Sequence, residues 1–266
     1  MTMETQSKRL EILADMFIKQ LENLRSFFKL LADEIFFTVQ YLLKRTGTYP
    51  GEIGKQFYFM AYKSFPIVCL ITFLVGVTIS LTSAAQLKLF GADIYLSYFV
   101  GIAMIRELVP LMTGVILAGK IGASVAAEIS TMKVLEEIDA LKTMGIIPEK
   151  FLMVPRLIAI TLAIPLLVAV ADFVGIFGGA LVARFFLAIP PGSFIREMLN
   201  IVFLQDFFIG LAKTMVFGWA IIISGGFKGF SVKRGAEEVG KATTESVVMS
   251  ISLIIFLDCI FALILY

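Results

Sequence analysis

Five apolar runs of about 20 residues, roughly Ser64–Gln86, Ser97–Gly119, Leu157–Ala183, Phe207–Gly226 and Ser246–Tyr266, constrain this chain more than any other feature. Each is long enough for an α-helix to cross the ~30 Å hydrocarbon core of a bilayer at ~1.5 Å per residue. Hydrophobic residues form 59% of the sequence and charged residues 17%, which leaves no room for a soluble catalytic domain of ordinary size. The expected fold class is all-α: a polytopic membrane protein with an amphipathic N-terminal extension over 1–63 and one membrane domain over 64–266.

The extension reads as an interfacial helix. Leu10, Leu13, Phe17, Leu21, Leu24, Phe28 and Leu31 recur at helical spacing with Lys19, Glu22, Arg25, Lys29 and Asp33 between them. Acidic Glu11, Asp15 and Glu22 interrupt what a cleaved secretory signal would keep apolar. A helix lying in the membrane surface fits this pattern, and a coiled-coil or partner-binding helix is the alternative. Tyr49-Pro50-Gly51 breaks the region.

Charge sets the topology. Lys and Arg collect before the first run, between the second and third (Lys120, Lys133, Lys142, Lys150, Arg156) and between the fourth and fifth (Lys228, Lys233, Arg234, Lys241). The other connections hold few: Lys88 in one, Arg184, Arg196 and Lys213 in the other. The positive-inside rule then expects a cytoplasmic N-terminus and an outward C-terminus.

Against that background Arg106-Glu107 stands out, two ionisable residues near the middle of the second run. Charges at this depth cost roughly 2.5–3.5 kcal/mol on insertion scales, so they face a partner charge, a protein interior or a wet cavity. The pair either ties helices together or lines a cavity.

Other chemistry is excluded or unsupported. The chain has no histidine, which removes histidine triads and histidine-based zinc sites. Cys69 and Cys259 lie in apolar runs without CxxC spacing and read as packing residues. A net charge of +2 with scattered basic residues gives no footprint for nucleic acid. Gly114 to Ile121 nearly spells the phosphate loop GxxxxGK[ST], but Ile121 stands where a hydroxyl must reach magnesium, and no strand precedes it. No motif asks for a cofactor.

Small residues recur four apart at Gly119/Ala123/Ala127, Gly122/Ala126, Gly175/Gly179 and Gly225/Gly229, spacing that allows close helix approach in lipid. Pro110 and Pro165 each free a carbonyl inside a helix. Between the second and third runs, Leu135, Ile138, Leu141 and Met144 recur every three residues, and Gly145 with Pro148 ends the run, predicting a short amphipathic helix able to dock in a partner's groove.

An ordered series of motifs is carried by the same segment and its flanks: Arg106-Glu107-Leu108-Val109-Pro110, Ala118 to Ala123, Ala127-Glu128, Thr131 to Val134, Glu137 to Leu141, Pro155-Arg156, Gly175 to Gly179 and Gly235 to Thr244. The chain resembles the MlaE-type permease family along nearly everything after the extension. The resemblance implies a homodimeric permease subunit of an ABC transporter in the bacterial inner membrane, moving phospholipid between inner and outer membranes and so maintaining outer-membrane lipid asymmetry or supply. It implies no ATPase of its own: Glu136, Glu137, Asp139 and Leu141 would couple to an MlaF-type ATPase. An MCE-domain protein would cover the outer face, and a STAS-domain protein would bind the ATPase. The lipid cavity between two copies would be lined by Arg106, Glu107 and Leu108, with Arg106 facing a lipid phosphate. This sequence departs from the family in having Val109 where Gly is usual, a β-branched residue expected to narrow the cavity or stiffen the bend.

The alternatives are an ABC importer of another hydrophobic substrate such as a sterol, and a secondary transporter that relays protons through Glu107, Glu128, Asp172 and Asp258. Absence of a visible inverted repeat argues against the second.

Overall fold

The computed structural model describes residues 25–41, 50–92, 95–233 and 235–265. Two compact units are present, 1–48 and 49–266. In the first, residues 25–41 form helix α1; the apolar stripe from Leu10 to Leu24 and the acidic interruptions Glu11, Asp15 and Glu22 lie outside the described residues.

The second unit is built of helices joined by short turns, with no strand among its described residues. It comprises α2 (Pro50–Phe57) with a π-turn at Tyr58–Tyr62, α3 (Phe65–Leu89), α4 (Leu96–Val134), α5 (Glu137–Thr143), α6 (Pro148–Phe186), α7 (Pro191–Ile201), α8 (Leu204–Phe230) and α9 (Ala236–Leu265). Five of these, α3, α4, α6, α8 and α9, are long and apolar enough to span a membrane. They match the five apolar runs, but α4, α6 and α9 continue beyond them. α4 runs unbroken to Val134, and α9 starts at Ala236.

The helices pack in the order α3, α6, α8, α9, with α4 laid across all four. Glycine makes the closest approach possible. A Cβ built on Gly76 of α3 would lie 2.0 Å from the Gly175 carbonyl oxygen of α6, and one on Gly178 would lie 2.7 Å from the Phe73 carbonyl oxygen. On the other side of the bundle, the Gly122/Ala126 ridge of α4 meets Gly225 and Gly229 of α8, and Ser246 of α9 donates to the Gly122 carbonyl at 3.1 Å. The three small-residue pairs Gly122/Ala126, Gly175/Gly179 and Gly225/Gly229 therefore serve packing within one chain. Gly119 is different: nothing lies within 4 Å of a Cβ built there.

The backbone ladder is disturbed inside the long helices without ending them. Pro110 follows a π-turn at Met104–Leu108 that carries Arg106 and Glu107. A second π-turn, Ala118–Gly122, occupies the phosphate-loop lookalike, and the Lys120 amine there donates to the Lys63 carbonyl. α6 absorbs Pro155 and Pro165 without ending. The only tryptophan, Trp219 of α8, donates its indole N–H to Thr161 of α6, whose own hydroxyl bonds Leu157, in the turn that Pro165 disturbs.

α5 is shorter than the spacing of Leu135 to Met144 predicts. Glu136 takes a left-handed φ of 61° and turns the chain, so the helix starts at Glu137. It ends as Gly145 predicts, with φ 75° and paired bonds from Ile146 N–H to the Leu141 carbonyl and from Gly145 N–H to the Lys142 carbonyl, each 3.0 Å. The sequence gives no warning of α7, which lies against the start of α4 through Met198 and Gly101.

Gly76→Ala is expected to cost at least about 1–3 kcal/mol, because the clash is with backbone that cannot rotate away. Gly240→Ala, inside α9 with nothing within 4 Å of the new Cβ, is expected to be neutral or to stabilise by up to about 1 kcal/mol. Thermal unfolding in one detergent compares the two.

Candidate functional site

Arg106 and Glu107 are neighbours in sequence but take different partners on the same helix. The Arg106 guanidinium pairs with Asp206 at 2.8 Å. Glu107 Oε2 pairs with the Lys213 ammonium at 2.9 Å, and the same ammonium holds Asp258 of α9 at 2.8 Å. Two cations and three carboxylates thus link α4, α8 and α9.

Each residue is held by local structure. Asp206 sits in the first turn of α8, where its second oxygen accepts the Phe203 N–H at 3.0 Å and its charge meets the positive helix end. Lys213 is 1% exposed. The expectation that Lys213 belongs to an outer connection is therefore corrected: α8 begins at Leu204 and carries it into the bundle. Arg156, counted with the inward connection, is likewise a buried residue of α6, pairing with Glu128 of α4 at 2.7 Å and donating to the Leu152 carbonyl at 2.7 Å.

Arg106, Glu107 and Leu108 all remain partly exposed, and the Arg106 side chain keeps 29% of its surface open. Val109, expected to narrow the cavity or stiffen the bend, is fully buried, its Cγ2 lying 3.6 Å from a Cβ built on Gly175. It fills the contact between α4 and α6.

At the other end of the bundle, α5 is clasped to the end of α4. Asp139 bonds the Lys133 ammonium at 3.0 and 3.2 Å and Lys142 at 3.3 Å. Those bonds, Lys133 first, hold the Asp139 carboxyl below its usual range. Ile138 is buried, Glu136 and Glu137 are exposed, and Leu141 is half-buried. Leu135 and Met144 face outward, 62% and 64% exposed.

A model of the family described as Permease MlaE matches residues 53–264. The chain belongs to the MlaE permease family. Among the relatives of this permease, a probable ABC transporter permease protein of Rickettsia typhi is 38% identical over 207 residues, covering 78% of this chain and 80% of the relative. A probable ABC transporter permease protein of Synechocystis is 35% identical over 207 residues, 78% of each chain. The intermembrane phospholipid transport system permease protein MlaE of Haemophilus influenzae is 30% identical over 213 residues, 80% of this chain and 82% of the relative. The permease is thus an ABC transporter permease with several membrane-spanning helices.

Lys213→Met removes the cation from Glu107 and Asp258 together. It is expected to cost about 3 kcal/mol, the low end for a broken buried pair because Glu107 is about one-third exposed. Adding Glu107→Gln and Asp258→Asn should recover most of the loss in thermal unfolding. For α5, a depressed carboxyl contributes fully above the unfolded value and is lost as pH falls through the folded one. Hydrogen-exchange protection of 137–143 is therefore expected to hold from about pH 8 to about pH 5 and to fall below about pH 4. Asp139→Asn should weaken that protection from about pH 8 to about pH 5 and change it little where the carboxyl is already protonated.

Proposed function

We propose that two copies of this permease carry phospholipid between the inner and outer membranes of a diderm bacterium, maintaining outer-membrane asymmetry or supply, driven by a separate MlaF-type ATPase. The observation that carries this reading is a charged turn in the middle of an apolar span whose residues, Arg106, Glu107 and Leu108, stay partly exposed. The Haemophilus relative's name supplies the substrate class.

In this reading Arg106, oriented by Asp206, offers the open part of its guanidinium to a lipid phosphate, and Leu108 lies beside the acyl chains. Glu107 is held by Lys213, so the orienting role that adjacency with Arg106 suggests passes to Asp206. The exposed Gly119 and the half-buried Ala123 and Ala127 on α4 give a second copy a close approach. α5 then lies in the cytoplasm with the α8–α9 connection, the C-terminus faces the periplasm, and α7 lies on the side of an MCE-domain partner.

The ATPase docks on α5 through exposed Glu136 and Glu137 and half-buried Leu141, with Leu135 and Met144 as apolar anchors. Asp139 positions the helix, since its carboxylate is taken by Lys133 and Lys142. A STAS-domain protein binds on the ATPase. Closure of the ATPase pair pushes α5, and α4 passes the displacement along one helix to the Arg106–Leu108 turn. The proton-relay alternative loses ground because Glu107, Glu128 and Asp258 each hold a cation.

The test is lipid mass spectrometry on the purified permease, parent against Arg106→Ala/Asp206→Asn, a pair that leaves no unmatched charge and keeps the oxygen that caps α8. Phospholipid is expected with the parent and about tenfold less with the variant, the value of a charge-assisted hydrogen bond. Unchanged phospholipid in the variant, or transfer driven by an ion gradient without ATP, contradicts the reading.

A further inference from the structure

A cavity of about 730 Å³ opens between α6, α7 and the start of α8. Its volume is that of small-molecule sites. Ile105, from the π-turn that carries Arg106 and Glu107, reaches its wall, but Arg106, Glu107 and Leu108 do not line it. α6 presents Asp172, Phe173 and Phe177 to it, α7 presents Ile195 and Leu199, and α8 presents Phe207. Every side chain of its lining is apolar except one, Asp172.

Asp172 is 3% exposed, and its Oδ1 has no hydrogen-bond partner among the described residues. The partly or fully buried carboxylates at 107, 206 and 258, and the exposed one at 128, each hold a cation. A carboxyl group left alone among phenylalanines weakens the fold, and packing gains nothing from it that Leu would not supply. A molecule that fills the cavity and brings its own hydrogen-bonding group removes that penalty.

The lining selects the class of molecule. A phosphate headgroup would meet a carboxyl group and apolar walls, with no cation in the lining to receive it. A plain hydrocarbon would leave Oδ1 unpartnered. A hydroxyl satisfies Asp172 in either protonation state, donating to the carboxylate or accepting from the acid. We infer that the cavity binds a neutral lipid bearing a hydroxyl, with the hydroxyl on Asp172 and the hydrocarbon body against Phe173, Phe177 and Phe207.

The probe is octadecanol carrying a diazirine, added to the full-length chain in detergent and photolysed, with the labelled peptides mapped. Labelling is expected within 172–207, displaced by excess octadecanol and not by octadecane. Asp172→Leu is expected to cut it about tenfold, the worth of one hydrogen bond, while Asp172→Asn retains it. If Asp172→Leu does not fold, Ala180→Trp, which fills the cavity from its wall, decides: loss of labelling supports the site and retention overturns it. Equal displacement by octadecane, or full labelling of Asp172→Leu, overturns the assignment and leaves the cavity to ordinary bilayer chains.

Discussion

Charges placed inside an apolar bundle must find each other, and in this permease that requirement fixes how three helices stand. Asp206 and Lys213 lie two turns apart on α8, and Arg106 and Glu107 reach one each from a single π-turn of α4. Sliding α8 by one turn would break both contacts and strand Asp258 on α9. Packing alone imposes no such register, because lipid is as apolar as the helix surfaces and gives helices little reason to prefer each other. The ion pairs make one arrangement better than its neighbours, and glycine contacts then bring the backbones together around it.

The bundle built on that register is uneven. Over an apolar 18-residue stretch of each helix, 56% of α8 is buried, against 11% of α9 and 22% of the helix containing α3. α8 is therefore the interior post, while α3 and α9 present Leu70, Leu74, Ile255 and Phe256 outward, to lipid or to neighbouring chains. The same unevenness leaves the charged turn partly open at the edge of a well-packed centre. A permease that is to move a large amphiphile needs both: a rigid partnered set of charges, and one face on which they remain accessible.

Much of this was legible in the sequence, for physical reasons. Spans are long and apolar because backbone polar groups in lipid must be satisfied within a helix, and that signal survives without any structure. The end of α5 was legible because Gly145 is the residue that adopts the left-handed cap at no steric cost. Arg106 and Glu107 were legible as misfits, but their partners were not. Lys213 lies within the run Phe207–Gly226, yet its charge reads as belonging to the outer connection; its burial depends on Glu107 and Asp258, which only the fold brings to it. α7 was missed because eleven residues of mixed character beginning with a proline look like a connection. Asp172 was visible as an acidic residue in a span, yet nothing in the sequence says that it alone would lack a cation.

The most direct test of the pairing is a double-mutant cycle on Arg106→Met and Asp206→Asn, read by thermal unfolding in a single detergent. If this ion pair holds α4 to α8, each single change destabilises and the double costs less than the sum, with a coupling of about 0.5–3 kcal/mol. Strict additivity would mean that Arg106 and Asp206 do not hold α4 to α8, and the structural basis of the proposed lipid site would fall with it.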